Sequence, residues 1–196
     1  MTEIIDRLKL DHKRLRRVLG ATLEALDDVS DGSTTAEDRL YCLLDYLGEY
    51  PHLVHHPTEE LVFTALGEQP SPEFGVDLAR VRSQHDFLER ATSDLLQSVG
   101  TDSIDVDAIG DTLRAYVEAQ LEHMKFEEAN VFPLIESNLV ALDQHEIACR
   151  LSELHDPLFD AHEQRFQALY ECLGVAAESM QGRAAAATAQ YLANRL

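Results

Sequence analysis

Apolar residues recur at three-, four- and seven-residue steps along four consecutive stretches of this chain, and that spacing commits most of it to amphipathic α-helices. The first stretch runs from Thr2, a helix-capping residue type, to about Asp28, with Ile5, Leu8, Leu15, Leu19 and Leu26 on one face. After the turn-forming run SDGSTT, the second spans about Ala36 to Leu66 and carries Leu40, Leu44, Leu47, Val54, Val62 and Leu66. Pro51 and Pro57 fall inside it and are expected to kink it or shift its phase. The third spans about Glu73 to Val99 and the fourth about Val106 to Glu136. Glycine and proline are few, and runs of β-branched residues are absent. Four helices of this length joined by short turns predict an all-α, up-down-up-down four-helix bundle over residues 1–136. Residues 137–196 read as an additional C-terminal helical extension, broken near HDPLF, that packs on or beside the bundle.

Composition excludes some functions. The chain carries 16 Lys and Arg against 36 Asp and Glu, a net charge of −20 with neutral histidine. That balance argues against nucleic acid, whose affinity comes from cations on phosphates, and against an anionic membrane surface. No apolar run approaches the roughly 20 residues of a spanning helix. The amphipathic start MTEIIDRLKLDHKRL lacks the pattern of a secretory signal, so the expected compartment is the cytoplasm. Three scattered cysteines form neither a disulfide framework nor a CxxC pair. GxSxG and GxxxxGK[ST] are both missing, so no acyl-transfer or phosphate-loop chemistry competes.

Nine histidines are many for this length, and their positions are informative. His12 lies four residues after Leu8 and three before Leu15, on the apolar stripe of the first helix. His85 lies four after Val81 and three before Leu88, in the middle of the third. On the fourth, His123 and Glu127 are one turn apart near the edge of the apolar face. The second packs three histidines and two glutamates into YPHLVHHPTEELVF, with His55 and Glu59 also one turn apart and nearest the apolar face. His56 and Glu60 point mostly away if that helix is regular, and His52 lies further round. A buried imidazole on one helix is usually just hydrogen-bonded. All four helices turning one inward, two of them with a Glu at i+4, is a metal-ligand pattern, since residues one turn apart project to the same side.

Imidazole with carboxylate suits zinc, iron, copper or manganese. A tetrahedral structural zinc would leave part of this set unused, whereas six or seven ligands suit two ions bridged by carboxylates. The ferritin-type Glu-x-x-His pattern occurs only as Glu49–His52, a poor match to that class.

Taken in order, His12 in a DHxxL setting, HHPTEE, His85 and HMKFEEANVFPL resemble the hemerythrin-like, or HHE cation-binding, superfamily over roughly residues 1–136. The tail HDPLFDAHEQRFQALY is similar to the C-terminal extension of a bacterial branch of that family. The resemblance implies a four-helix bundle holding two non-haem iron ions with an oxo or hydroxo bridge, zinc or manganese being the other candidates. It implies His12, His85 and His123 as terminal ligands, Glu59 and Glu127 as bridges, and His55 from helix two. His56 joins them if Pro57 slips the helix phase. Oxygen carriers of the family place two histidines one turn apart on helix three; here the residue four after His85 is Glu89, which counts against a carrier role. Glu89 and Glu60 remain minor ligand candidates. His52 is expected behind the ligands or at the surface, His145, His155 and His162 are expected at the surface, and Tyr46, Tyr50 and Tyr116 are expected to pack near the site or to orient a ligand.

The expected function is a di-iron protein that binds or reacts with O2, hydrogen peroxide or NO, in sensing, stress handling or iron and oxygen homeostasis. The alternatives are a metal-stabilised interaction module with a closed zinc or iron site, and a metal-free bundle whose histidines and glutamates bond one another. A homodimer through the C-terminal extension is the expected protein partnership.

Overall fold

The computed structural model describes residues 3–31, 33–66, 72–99 and 106–138, together with Ile147. Of the extension expected over residues 137–196, only Ser137, Asn138 and Ile147 are described, and the rest, with His145, His155 and His162, lies outside the described residues. Among the described residues the chain is all-α, with no strand.

Helix α1 spans Glu3–Ser30 and α2 spans Thr34–Tyr50. Between them the chain turns on a few backbone bonds, including Ser33 N–H to Asp28 O at 3.1 Å and Ala36 N–H to Ser33 O at 3.2 Å. Ser33 is in an extended conformation as the N-cap of α2, and Glu37 places a negative charge in the first turn, favourable beside the helix N-terminus. A π-helical turn, Pro51–His55, continues α2 without a break into α3, His56–Leu66. Helix α4 spans Pro72–Val99. Helix α5, Val106–Phe126, passes through a second π-helical turn, Glu127–Val131, into α6, Phe132–Asn138. The result is four long rods, two of them containing a widened turn.

Both widened turns have the same cause. Pro57 and Pro133 each follow the start of a π turn by six residues. A proline inside a helix has no N–H for the carbonyl four residues back, and its ring crowds that carbonyl. Those carbonyls belong to Leu53 and Ala129, in the middle of the two π turns. Widening the turn relieves the crowding, and the ladder is restored by bonds spanning five residues, His56 N–H to Pro51 O and Phe132 N–H to Glu127 O. The expected phase slip in helix two therefore occurs, but upstream of Pro57, over Pro51–His55.

The rods pack as a helical bundle in which α1 meets α2, α2 meets α4, α4 meets α5 and α5 returns to α1. Along α1 and the last rod, Lys9 pairs with Glu136 and Asp27 with Arg114. Between α1 and the second rod, Asp28 pairs with Arg39 and Asp11 faces His55.

Two apolar cores fill the interior. One gathers Leu15, Leu19, Leu40, Leu44, Leu88 and Leu113 with their neighbours; the other gathers Ile5, Leu8, Val62, Phe63, Val81 and Phe132. Each fully buried Leu or Phe contributes about 1.5–3 kcal/mol of transfer free energy. On each rod polar residues fall where the two cores adjoin: buried His12 on α1, buried His55 and Glu59 on the second rod, partly buried His85 on α4, and buried His123 and Glu127 on the last.

Candidate metal centre

The polar layer is assembled one rod at a time. His12 stands between Leu8 and Leu15 on the buried stripe of α1, and its ring stacks on Phe132 with centroids 5.2 Å apart. Its Nδ1 lies 2.9 Å from Glu128 Oε1. A carboxylate only accepts, so Nδ1 carries the proton and Nε2 is left as the inward lone pair. That Nε2 lies 3.1 Å from His55 Nε2 and 3.3 Å from Glu127 Oε2. Glu128 is held in turn by Arg16, whose Nη2 donates to the same oxygen at 2.9 Å.

The π turn at Pro51–His55 sets the second rod. One extra residue in the turn brings both His55 and His56 to the inner face, where a regular helix would turn His56 away. His55 Nε2 lies 3.6 Å from Glu59 Oε1, while its Nδ1 faces the buried Asp11 carboxylate at 3.8 Å, an ion-pair rather than a hydrogen-bond separation. The His56 ring stacks on His85, centroids 3.7 Å apart and planes 12° from parallel. His85 Nε2 meets both carboxylates, Glu59 Oε2 at 3.3 Å and Glu127 Oε1 at 3.6 Å. His123 Nε2 lies 3.4 Å from Glu127 Oε2, and its Nδ1 reaches Gln84 Oε1 at 3.3 Å.

These donors fall into two groups, each with its ligand atoms within 4.8 Å of one another: His12, His55, Glu59 and Glu127; and His56, His85 and His123. The two glutamates touch histidines of both groups. All seven expected ligands are thus brought together. The inward atoms are left without hydrogen-bond partners: both oxygens of Glu59 and of Glu127, and Nε2 of His56, His85 and His123. Buried polar atoms are normally paired, so this many orphans at one point fit a cation.

Charge follows the geometry. Burial alone would raise the Glu59 carboxyl, but His55 and His85 hold it far below the ordinary carboxylate range. Burial also disfavours charge on His55 and His85. Glu59, Asp11 and Glu127 outweigh it at His55, carrying it up to about 8, and Glu127 and Glu59 carry His85 up to about 9. At His56 and His123 burial wins: His56 is pulled well below its usual value and His123 down to about 4. Burial pushes on Asp11 as well, yet His55, Tyr50 and Arg14 keep its carboxyl below the usual value.

The minor ligand candidates lie elsewhere. Glu89 pairs with His52 at 3.4 Å, both more than half exposed, so neither enters the centre. Glu60 pairs with Arg82 on the surface. Tyr46 and Tyr50 stack with centroids 5.2 Å apart, and Tyr50 also bonds Asp11, so it acts on His55 through that carboxylate. Tyr116 is buried against Thr92, and burial pushes its hydroxyl up to about 12. The residues behind the ligands, Asp11, Glu128, Arg16 and Gln84, do not emerge from the sequence reading. Asp11, Gln84 and Glu128 adjoin His12, His85 and Glu127 in the chain, but only a weak signal follows, because each acts on a partner on another rod.

Among known proteins, the family model for the hemerythrin HHE cation binding domain matches residues 3–135. No curated protein and no solved structure matches the chain.

Proposed function

The chain belongs to the hemerythrin HHE cation binding domain family, and from that premise we propose that it is a non-haem di-iron protein. Its ligand is O2, hydrogen peroxide or NO, and its role lies in sensing, stress handling or iron and oxygen homeostasis. The observation that carries this reading is the convergence of orphaned donors, both oxygens of Glu59 and Glu127 facing three unpartnered imidazole nitrogens. Leaving each unpaired would cost roughly 1–3 kcal/mol. A single tetrahedral zinc would use about four of the seven donors, whereas two five- or six-coordinate ions use them all.

In this reading His12 and His55 would hold one ion and His56, His85 and His123 the other, with Glu59 and Glu127, which touch histidines of both groups, available to each. Bound iron supplies the redox and ligand-binding chemistry. The chain's own residues do the rest. Glu128 and Asp11 fix the orientation of His12 and His55 by occupying or facing Nδ1, which keeps Nε2 inward. The apolar cores on either side exclude bulk water and leave room only for small ligands. The same reading takes the rods as an up-down-up-down bundle, which the opposed numbering of their paired residues supports. It takes residues 1–136 as the metal domain and 137–196 as an extension available for homodimer contact, in a cytoplasmic protein with no nucleic-acid or membrane role.

The test is metal content and spectrum of the full chain purified without added metal. The reading expects about two irons per chain, near-ultraviolet absorption of a bridged iron pair, and a spectral response to azide, NO or peroxide. About one zinc with no such response would replace it with a closed, structural site.

A further inference from the structure

The second rod and α4 face each other as a ladder of side chains, one rung per turn. A Cβ on Gly48 would stand 3.4 Å from Thr92 Cγ2. On the next turn His52 Nδ1 lies 3.4 Å from Glu89 Oε1. The third rung is the ligand pair, the His56 ring stacked on His85. On the fourth, Arg82 binds both oxygens of Glu60, Nε donating to Oε2 at 3.0 Å and Nη2 to Oε1. The ligand pair therefore has one polar rung on each side, each roughly 5 Å away along the rods.

Those two rungs offer a cation different things. Glu60 has both oxygens taken by a guanidinium, and that fixed positive charge repels another. His52 and Glu89 meet only loosely, with 56% and 55% of their side chains exposed. An imidazole and a carboxylate reachable from solvent suit a divalent transition metal. A crevice lies beside this rung. Exposed His52 and Glu89 line it, and so do buried Gln120 and His56, the one ligand of the centre on its wall. Gln120 Nε2 has no hydrogen-bond partner, and water that travels with an ion supplies one. The centre is also most open here: His56 and His85 are partly exposed, whereas His12, His55, Glu59 and Glu127 are all buried.

We propose that His52 and Glu89 form a capture site for ferrous iron, from which the ion passes through the crevice to His56 and His85. The inference rests on the di-iron reading above and adds the side from which the centre is loaded. Two donors fill only part of an iron ion's coordination sphere, so the ion stays there briefly and moves on to the larger set. The net charge of −20 draws cations to the surface, and Glu89 gives that attraction a focus at the mouth of the crevice.

The test is the rate at which the metal-free full chain takes up ferrous iron without oxygen. Unbound iron is sampled over time with a ferrous chelator. His52→Gln and Glu89→Gln should each slow the initial uptake about tenfold, the low end of what local charge and focusing contribute to capture. Both should reach the parent's final iron content and near-ultraviolet spectrum, which a general loss of structure would not allow. Glu60→Gln removes the same charge from the opposite rung and should leave the rate at the parent's value. If the parent takes up iron and Glu89→Gln does so at the same rate, or if Glu60→Gln slows uptake equally, the proposal is overturned and the di-iron reading stands. A final iron content below the parent's in Glu89→Gln would make Glu89 a permanent ligand and overturn the capture role. If the parent chain takes up no iron, both readings fall.

Discussion

The two groups of ligands differ in what stands behind them. His12 and His55 each turn their outer nitrogen toward a carboxylate, Glu128 at 2.9 Å and Asp11 at 3.8 Å, and each of those is itself tied down, by Arg16 and by Tyr50 and Arg14. Behind the second group only the uncharged Gln84 meets His123, and no acidic side chain among the described residues backs His56 or His85. An anionic partner fixes the tautomer and makes the imidazole a stronger donor. On the proposed reading the first group is expected to hold its ion the more rigidly, and the second to exchange it the more readily. The crevice reaches the second.

The contrast can be broken at its shared element. Glu127 touches His12 in one group and His85 and His123 in the other, so Glu127→Ala should abolish binding at both positions, read as near-complete loss of metal from the purified chain. Loss of half the metal would mean that the groups are independent. A smaller change sharpens the contrast: Glu128→Gln should weaken metal affinity about 10- to 100-fold at one of two positions, by competition with a chelator. Gln84→Leu should weaken the other position by less, and equal effects would erase the asymmetry.

Proton occupancy gives a subtler comparison in the metal-free chain. His55 and His85 have raised pKa values in the fold, about 8 and about 9, so the folded state binds more protons than the unfolded one above the ordinary value of 6.5. Their contribution is complete below pH 6.5 and is lost as pH rises through about 8 and about 9. His56 and His123 are lowered, so there the unfolded state binds more protons, and stability is lost as pH falls from 6.5 toward about 4. Thermal unfolding of the metal-free chain should be most resistant near pH 6.5, and metal should flatten the alkaline limb because its ligands hold no proton. A metal-free midpoint that climbs steadily to pH 9 would contradict this. The smallest effect is expected at the surface pair His52–Glu89, where Glu89→Gln should change stability by under about 0.5 kcal/mol and leave metal content intact. Loss of metal in that variant would return Glu89 to the ligand set.

Much of this centre was legible from spacing. His12 and His85 sit mid-stripe between apolar residues that do become buried, and the two pairs His55–Glu59 and His123–Glu127 keep the one-turn spacing that lets both members point inward. The helix limits agree with the periodicity to within a few residues. His56 was readable only conditionally, because its orientation depends on whether the proline crowding is relieved by a kink or by a widened turn. Asp11, Glu128 and Gln84 were not readable, since each matters through a partner on a different rod.

The sequence by itself determined the helices and the inward face of each, because hydrophobic periodicity is a local property that every residue reports together with its neighbours three and four positions away. The tertiary structure alone decided which rods meet, how the π turn rotates His56 into the centre, which carboxylate stands behind which imidazole, and where a crevice leaves Gln120 unpaired. Those relations join residues as far apart as His12 and Glu128, 116 positions, and Lys9 and Glu136, 127 positions, and they arise from rod packing and turn geometry that no local pattern encodes.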